Sequence, residues 1–149
     1  MGMRLLVPAL LLFTALPACA DECGALADRI AAATGATVTS GRSDFANLEA
    51  GPDTGLTLAC GPLTSTGVQF KGKEPPERFY ALLGKAGAVV TGADPAAIEA
   101  AGRQARDAAS RLRHSSVDLP GLRIVCSVTD SAERGALTLC AAIQRDDRT

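Results

Sequence analysis

Cysteine has the clearest chemical potential of any residue type in this sequence, since thiols form disulfides, bind metals and act as nucleophiles. The chain contains five cysteines: Cys19 lies in an N-terminal apolar stretch, and the others are Cys23, Cys60, Cys126 and Cys140. None of them belongs to a Cys-x-x-Cys motif, the spacing that redox exchange and zinc binding commonly use. The spacing therefore favours structural disulfides, and we expect no bound metal.

The single histidine, His114, is the only candidate for a classical catalytic base. It lies at the end of a predicted helix, where a cation would offset the helix dipole. The sequence has no G-x-S-x-G, Walker A, dinucleotide-binding or EF-hand pattern, and its carboxylates are scattered. We therefore interpret His114 as a surface residue and nominate no catalytic residue and no cofactor.

A group of arginines on one predicted helix is the main concentration of charge. Its members are Arg103, Arg106, Arg111 and Arg113. Guanidinium groups recognise carboxylates and phosphates, so the group could meet an anionic partner such as lipid head groups or an acidic protein surface. Glu99 and Asp107 interrupt it, and charges of alternating sign four residues apart are typical of a salt-bridged, solvated helix face. The second interpretation is the favoured one.

The first 20 residues are typical of a secretory signal peptide. Arg4 precedes an apolar block at residues 5–16, which is shorter than the roughly 20 residues that a membrane-spanning helix needs. Residues 18–20, Ala-Cys-Ala, fit a cleavage site that would leave a soluble chain beginning at Asp21. Residues 16–19, Leu-Pro-Ala-Cys, also resemble a lipobox, although proline is unusual there. In that case Cys19 would carry the lipid of an envelope lipoprotein.

Both cleavage patterns leave four cysteines, which an exported domain of this size is expected to pair. Pairing in sequence order, Cys23 with Cys60 and Cys126 with Cys140, is favoured. Strand alternation supports a different pairing, Cys60 with Cys126 and Cys23 with Cys140. If Leu137, Leu139, Ala141 and Ile143 face the core, Cys140 faces away from it. A bulge in the preceding turn would restore the sequence-order pair, and the third connectivity also stays open.

Charge and composition limit the classes of partner. Of 15 basic and 16 acidic residues, only Arg4 lies in the first 20, so the exported part is nearly neutral and has no electrostatic footprint for nucleic acid. Its aromatic residues are Phe45, Phe70, Phe79 and Tyr80, too few for base-stacking or sugar-stacking surfaces. We expect the partner to be a protein or another envelope component, with no nucleic acid and no transmembrane helix in the exported chain.

Hydrophobic periodicity predicts an α+β fold in a single domain at residues 21–144, followed by a polar tail at 145–149. Helices are predicted at 22–34, 74–90 and 94–112, the last with Asp94 as N-cap. Strands are predicted at 36–40, 55–60, 67–71, 121–129 and 136–144, whereas 43–54 has the pattern of a loop or edge segment. We expect an antiparallel sheet of about four or five strands with about three helices packed on one face.

One internal similarity suggests a repeated unit. Residues 55–60, Gly-Leu-Thr-Leu-Ala-Cys, match residues 121–126, Gly-Leu-Arg-Ile-Val-Cys, in pattern. Each segment follows helical sequence and precedes a second strand, which would fit a duplicated helix-plus-hairpin unit. A chance match of six residues is the alternative.

These features predict a small, non-enzymatic binding or assembly module of the periplasm or cell envelope. The alternatives are an envelope lipoprotein anchored through Cys19 and a small exported hydrolase whose site only the fold assembles. A deep cleft holding a carboxylate of perturbed pKa would favour the enzyme. A shallow apolar groove or an exposed sheet edge would favour binding.

The intact mass of the protein from native cells tests export and pairing together. We expect a chain beginning at Asp21 whose mass rises by about four hydrogens on reduction, because two disulfides would then open. A chain beginning at an acylated Cys19 would establish the lipoprotein instead, and a mass unchanged by reduction would contradict the disulfides.

Overall fold

Three helices and seven strands form the fold, which the computed structural model describes for residues 22–146. The helices are α1 (Glu22–Thr34), α2 (Glu77–Thr91) and α3 (Pro95–Leu112). The strands are β1 (Thr37–Gly41), β2 (Phe45–Glu49), β3 (Thr54–Ala59), β4 (Ser65–Phe70), β5 (His114–Leu119), β6 (Leu122–Ser131) and β7 (Gly135–Gln144). The predicted signal peptide, including Cys19, and the last three residues of the predicted tail lie outside the described residues.

The strands form one antiparallel sheet in the order β1-β2-β3-β4-β7-β6-β5. The chain lays down β1 to β4 as a meander, passes through α2 and α3, and returns with a second meander whose last strand, β7, pairs with β4. In the helix layer, α1 packs on β1 to β3, α2 on β4 and β7, and α3 mainly on β5 and β6. The α+β class is confirmed, but the predicted number of four or five strands is wrong.

Two strands account for this difference. β2 lies within the stretch predicted as a loop or edge segment, and β5 begins at His114, which was predicted to end a helix. Each is only five or six residues long with two or three apolar side chains, so its local signal is weak. Both are strands because neighbouring strands supply their backbone partners, and such tertiary pairing overrides local propensity.

The ends of the long helices follow their local sequence. The Asp94 carboxylate accepts a hydrogen bond from the Ala96 backbone N–H at 3.3 Å, and Pro95 is the first helical residue, as the N-cap prediction requires. α2 continues through residues 88–90 and ends at Gly92, whose φ of 73° is the left-handed conformation that glycine adopts without strain.

The direction of the side chains on β7 contradicts the sequence-based assignment. The predicted core residues of this strand point away from the helices, and the alternate residues point inward. In β6 and β7, Ile124 lies opposite Ala142 and Cys126 lies opposite Cys140, and all four side chains are fully buried. The inward side of β7 therefore carries small or polar side chains, and its larger apolar side chains face outward.

The close approach of α2 and α3 explains this direction. A Cβ added to Gly87 of α2 would lie 3.1 Å from Cβ of Ala142 on β7, and the sulfur of Cys126 lies 3.5 Å from the carbonyl oxygen of Gly102 on α3. Leucine or isoleucine on the inward side of β7 would need space that the helix backbones occupy, and such overpacking is destabilising.

The two disulfides join the cysteines in sequence order. The Cys23–Cys60 bond ties the start of α1 to the end of β3, and the Cys126–Cys140 bond joins directly opposite residues of β6 and β7. The pairing of Cys60 with Cys126 is therefore wrong, since it depended on the wrong direction of β7. No bulge is involved, because the β6–β7 register runs without a shift from Leu122 to Ser131.

The two similar segments occupy comparable positions. Residues 55–60 fall mainly in β3 and residues 121–126 at the start of β6, and each strand pairs with the strand before it and the strand after it in the chain. The surrounding unit contains a helix and at least three strands rather than a helix and a hairpin. The duplication itself stays a prediction.

Removing either disulfide by a double cysteine-to-alanine substitution should lower the free energy of unfolding. The closed loops span 14 residues for Cys126–Cys140 and 37 for Cys23–Cys60, so chain entropy predicts losses of about 3 and about 4 kcal/mol respectively. Urea unfolding of the two variants and the native chain measures these losses. A variant as stable as the native chain would show that its bond adds nothing to the fold.

Candidate functional site

The structure separates the four arginines of the predicted anionic-partner group. Arg103 forms ion pairs with Glu77 and, at 3.6 Å, with Glu99, and its guanidinium lies 4.8 Å from the centre of the Tyr80 ring. The hydrogen bond to Glu77 raises the pKa of Arg103. Its charge is thus matched by acidic neighbours on α2 and α3.

Arg106 is the most buried of the group, with a side chain only 10 % exposed. Its guanidinium donates to the carbonyl oxygen of Lys73 and pairs with Glu74 at 2.9 Å, which ties α3 to the segment between β4 and α2. Burial by itself lowers the pKa of Arg106, but the hydrogen bond and charge of Glu74, together with Tyr80 and Asp107, outweigh that effect and the net shift is upward.

Arg111 and Arg113 are exposed. Arg113 ends α3 with a φ of 68°, and its carbonyl oxygen accepts a hydrogen bond from Val128. Together with Arg106 it lines a depression of about 410 Å³ between α3 and β6, whose lining also includes the Lys73–Asp130 ion pair. Two of the four arginines therefore meet in one depression that acidic side chains share, and recognition of an anionic partner stays a prediction.

His114 is the first residue of β5, lies opposite Ser127 of β6 and is exposed. Its side chain makes no hydrogen bond or ion pair within residues 22–146, so the structure does not place it in a nucleophile-and-base pair. The same part of the chain contains no group of three or more metal-ligating side chains.

The sheet surface opposite the helices, here called the open face, is the largest feature that sequence reasoning missed. Its side chains form three rows that run across the strands from β2 to β5. The rows are Phe45, Ala59, Ser65, Ile143, Arg123 and Asp118; Asn47, Thr57, Gly67, Ala141, Val125 and Ser116; and Glu49, Gly55, Gln69, Leu139, Ser127 and His114. The three helices pack on the other side of these strands.

The centre of the open face has a pronounced relief. The outward side chains of β7, here called the apolar ridge, are Leu137, Leu139, Ala141 and Ile143. All of them are partly exposed, Leu137 to 36 %. The adjoining strands β4 and β3 carry four small residues, here called the trough, which are Gly55, Thr57, Ser65 and Gly67, with the longer side chain of Gln69 beside Gly55. A bulky apolar strip therefore lies beside a shallow strip.

Polar groups border this relief at both ends. Near Leu137 the surface forms a depression of about 420 Å³, which Asn47, Gln69 and Lys71 also line. At the other end the Arg123 guanidinium donates two hydrogen bonds to the Asp118 carboxylate, at 2.6 and 3.0 Å, and Arg145 lies 3.2 Å from the same carboxylate. An apolar centre with a polar border is typical of a surface that another molecule covers.

The sheet edge formed by β1 is also accessible. All five residues from Thr37 to Gly41 are exposed and uncharged, and β2 is the only strand that pairs with them in the described sheet. The β1–β2 register shifts between Val38 and Ser40, and such a bulge disfavours pairing with a further strand. The open face is therefore the stronger candidate surface.

Comparison with protein-family models, with curated proteins and with solved structures finds no match to this chain. Functional interpretation depends on its own sequence and geometry. Across residues 22–146 no helix is both long enough and apolar enough to cross a membrane.

The cysteine spacing contained the signal that would have located the ridge. Cys140 and the apolar residues 137, 139, 141 and 143 have opposite parity, so they lie on opposite faces of an unbulged strand. The sequence-order bond places Cys140 on the buried side with Cys126. The ridge then has to face outward.

The ion pairs of Asp118 predict its titration. The hydrogen bond from Arg123 lowers the pKa of Asp118 below 3.8, so this group stabilises the fold above that pH and its contribution is lost as pH falls through the lowered value. In an NMR titration, Arg123→Gln should move the Asp118 midpoint upward, and Arg134→Gln, an exposed change elsewhere, should not. An unchanged midpoint in Arg123→Gln would contradict the assigned cause.

Proposed function

We propose that this protein is an exported, non-enzymatic binding or assembly module whose open face meets the apolar surface of a protein partner. One observation carries the proposal: β7, near the centre of the sheet, has a more apolar side facing solvent than facing the core. Its outward residues include two leucines and an isoleucine, whereas its inward residues include Thr138, Cys140 and Ala142.

The physical reason is the free energy of apolar surface. Full burial of a leucine or isoleucine side chain is worth roughly 1.5–3 kcal/mol relative to full exposure. The ridge residues are only partly exposed, so each retains a fraction of that value for a partner to gain. Because they are contiguous along one strand, a single partner surface can cover them all.

The electrostatics of Asp118 do not suit it to act as a general acid. A general acid needs a carboxyl group whose pKa is raised towards neutrality. Asp118 is a carboxyl group of the open face, and the hydrogen bond from Arg123 lowers its pKa. The exported hydrolase therefore gains no support from this surface.

Export is supported by the N-terminal sequence and by the two disulfides, which are typical of oxidising compartments. Either a soluble chain beginning at Asp21 or a chain anchored through the lipid of Cys19 would place the same domain in the envelope. The open face would be available to a partner in both cases.

Photo-crosslinking in native cells tests the proposal. A benzoylphenylalanine at position 137, on the ridge, should form protein adducts, whereas the same group at position 104, an exposed residue of α3, should not. Adding Leu139→Ser to the first variant should reduce the adducts if the ridge itself makes the contact. Equal adducts from both positions, or none from position 137, would refute binding through the open face.

A further inference from the structure

The open face is complementary in shape to the open face of a second copy. The apolar ridge on β7 lies directly beside the trough, which begins on the adjacent strand β4. The bulky side chains of one copy can therefore lie against the small side chains of another. Surfaces that fit a second copy of themselves in this way are the basis of two-fold dimers.

We infer that the occupant of the open face is a second copy of this chain, packed sheet against sheet about a two-fold axis that runs parallel to the strands between β4 and β7. This inference rests on the proposed binding role of the open face. Two sheets in such a sandwich lie about 10 Å apart, with their strands inclined by roughly 30°.

This axis fixes which residues meet. Rotation about it places β7 of one copy over β4 of the other, at the same level along the strands. Because Leu139 pairs with Gln69, Ala141 with Gly67 and Ile143 with Ser65 in the sheet, these three ridge residues lie opposite the β4 residues that are their neighbours within their own chain. Ala141 and Ile143 thus lie over the small side chains of Gly67 and Ser65, and Leu139 lies over Gln69.

Within the three rows, the same two-fold symmetry places no two residues of like charge opposite each other across the interface. Arg123 of one copy lies opposite Ala59 of the other, Asp118 opposite Phe45, and His114 opposite Glu49, because these residues stand at equal distances from the axis within their rows. Like charges across an interface would cost several kcal/mol, so their absence from these rows favours the pairing.

The size of the face is also suitable. Seven strands about 4.8 Å apart and mostly five or six residues long span roughly 30 Å by 20 Å. Side-chain relief makes the accessible area larger than this flat projection. Stable interfaces bury about 800 Å² on each partner, so nearly the whole open face would take part in the contact.

Sedimentation equilibrium of the exported chain with both disulfides intact tests the inference. We expect a dimer at micromolar concentration, and we expect Leu139→Lys to weaken it about 30-fold or more, as for an interface hot spot. Leu112→Lys is the matched control, because Leu112 is 69 % exposed at the end of α3, on the helix side of the sheet. Equal dimerisation of Leu139→Lys and the native chain would overturn the inference.

A charge pair tests the arrangement and covers the case in which Leu139→Lys does not fold. Gln69→Glu alters an exposed residue and should by itself weaken the dimer, because the new carboxylate faces Leu139. A mixture of the Gln69→Glu and Leu139→Lys chains should associate more tightly than either alone, since Lys and Glu then face each other. If instead a mixture of the Leu139→Lys and Leu139→Glu chains associates more tightly than either chain alone, position 139 faces itself across the interface. That result would place β7 over β7 and refute the proposed axis.

The outcomes also separate this inference from the proposed function. A native chain that is monomeric but forms adducts with a different protein from position 137 would overturn the second copy and retain the binding role. A monomeric chain without such adducts would overturn both.

Discussion

Contact between helix backbone and sheet at the middle of the molecule is the constraint on which the rest of the structure depends. Gly87 of α2 lies so close to β7 that only a side chain as small as that of Ala142 fits beneath it, and the carbonyl oxygen of Gly102 on α3 lies 3.5 Å from the sulfur of Cys126 on β6. This packing requires small side chains on the inward side of β7. The helices, rather than the hydrophobicity of the strand, therefore determine which way β7 faces.

The outward direction of the ridge follows from that requirement. A strand whose inward positions are small can still carry leucine and isoleucine, but only on its other side. β7 lies between β4 and β6, near the centre of the sheet. The outward side chains of these neighbouring strands therefore shield the ridge residues in part. The same helix packing that completes the core thus places the leucines and the isoleucine of β7 on the side that a partner can cover.

Most elements were predictable from the sequence because their signals are local. Asp94 and Pro95 mark the start of α3, and alternation marks the strands β3, β4, β6 and β7. β2 and β5 were missed because they carry few apolar side chains, and their strand conformation depends on backbone pairing with the strands beside them. The open face was missed because strand alternation favoured Leu137 and Leu139 as core residues, whereas the narrow space beneath Gly87 of α2 limits the inward side of β7, and no local pattern reports that space.

The Cys126–Cys140 bond has a role in this fold beyond its effect on the unfolded chain. A one-residue shift of β7 relative to its neighbouring strands would turn every side chain of β7 to the opposite face. Hydrophobicity alone favours this shifted register, because Leu137, Leu139 and Ile143 would then face the core. Such a slip would move Cys140 to the opposite face from Cys126, so the bond cannot form in it. Once formed, the bond excludes the displaced register and holds the ridge on the outside. The disulfide therefore maintains the surface that we propose as the binding site, although neither cysteine is exposed on it.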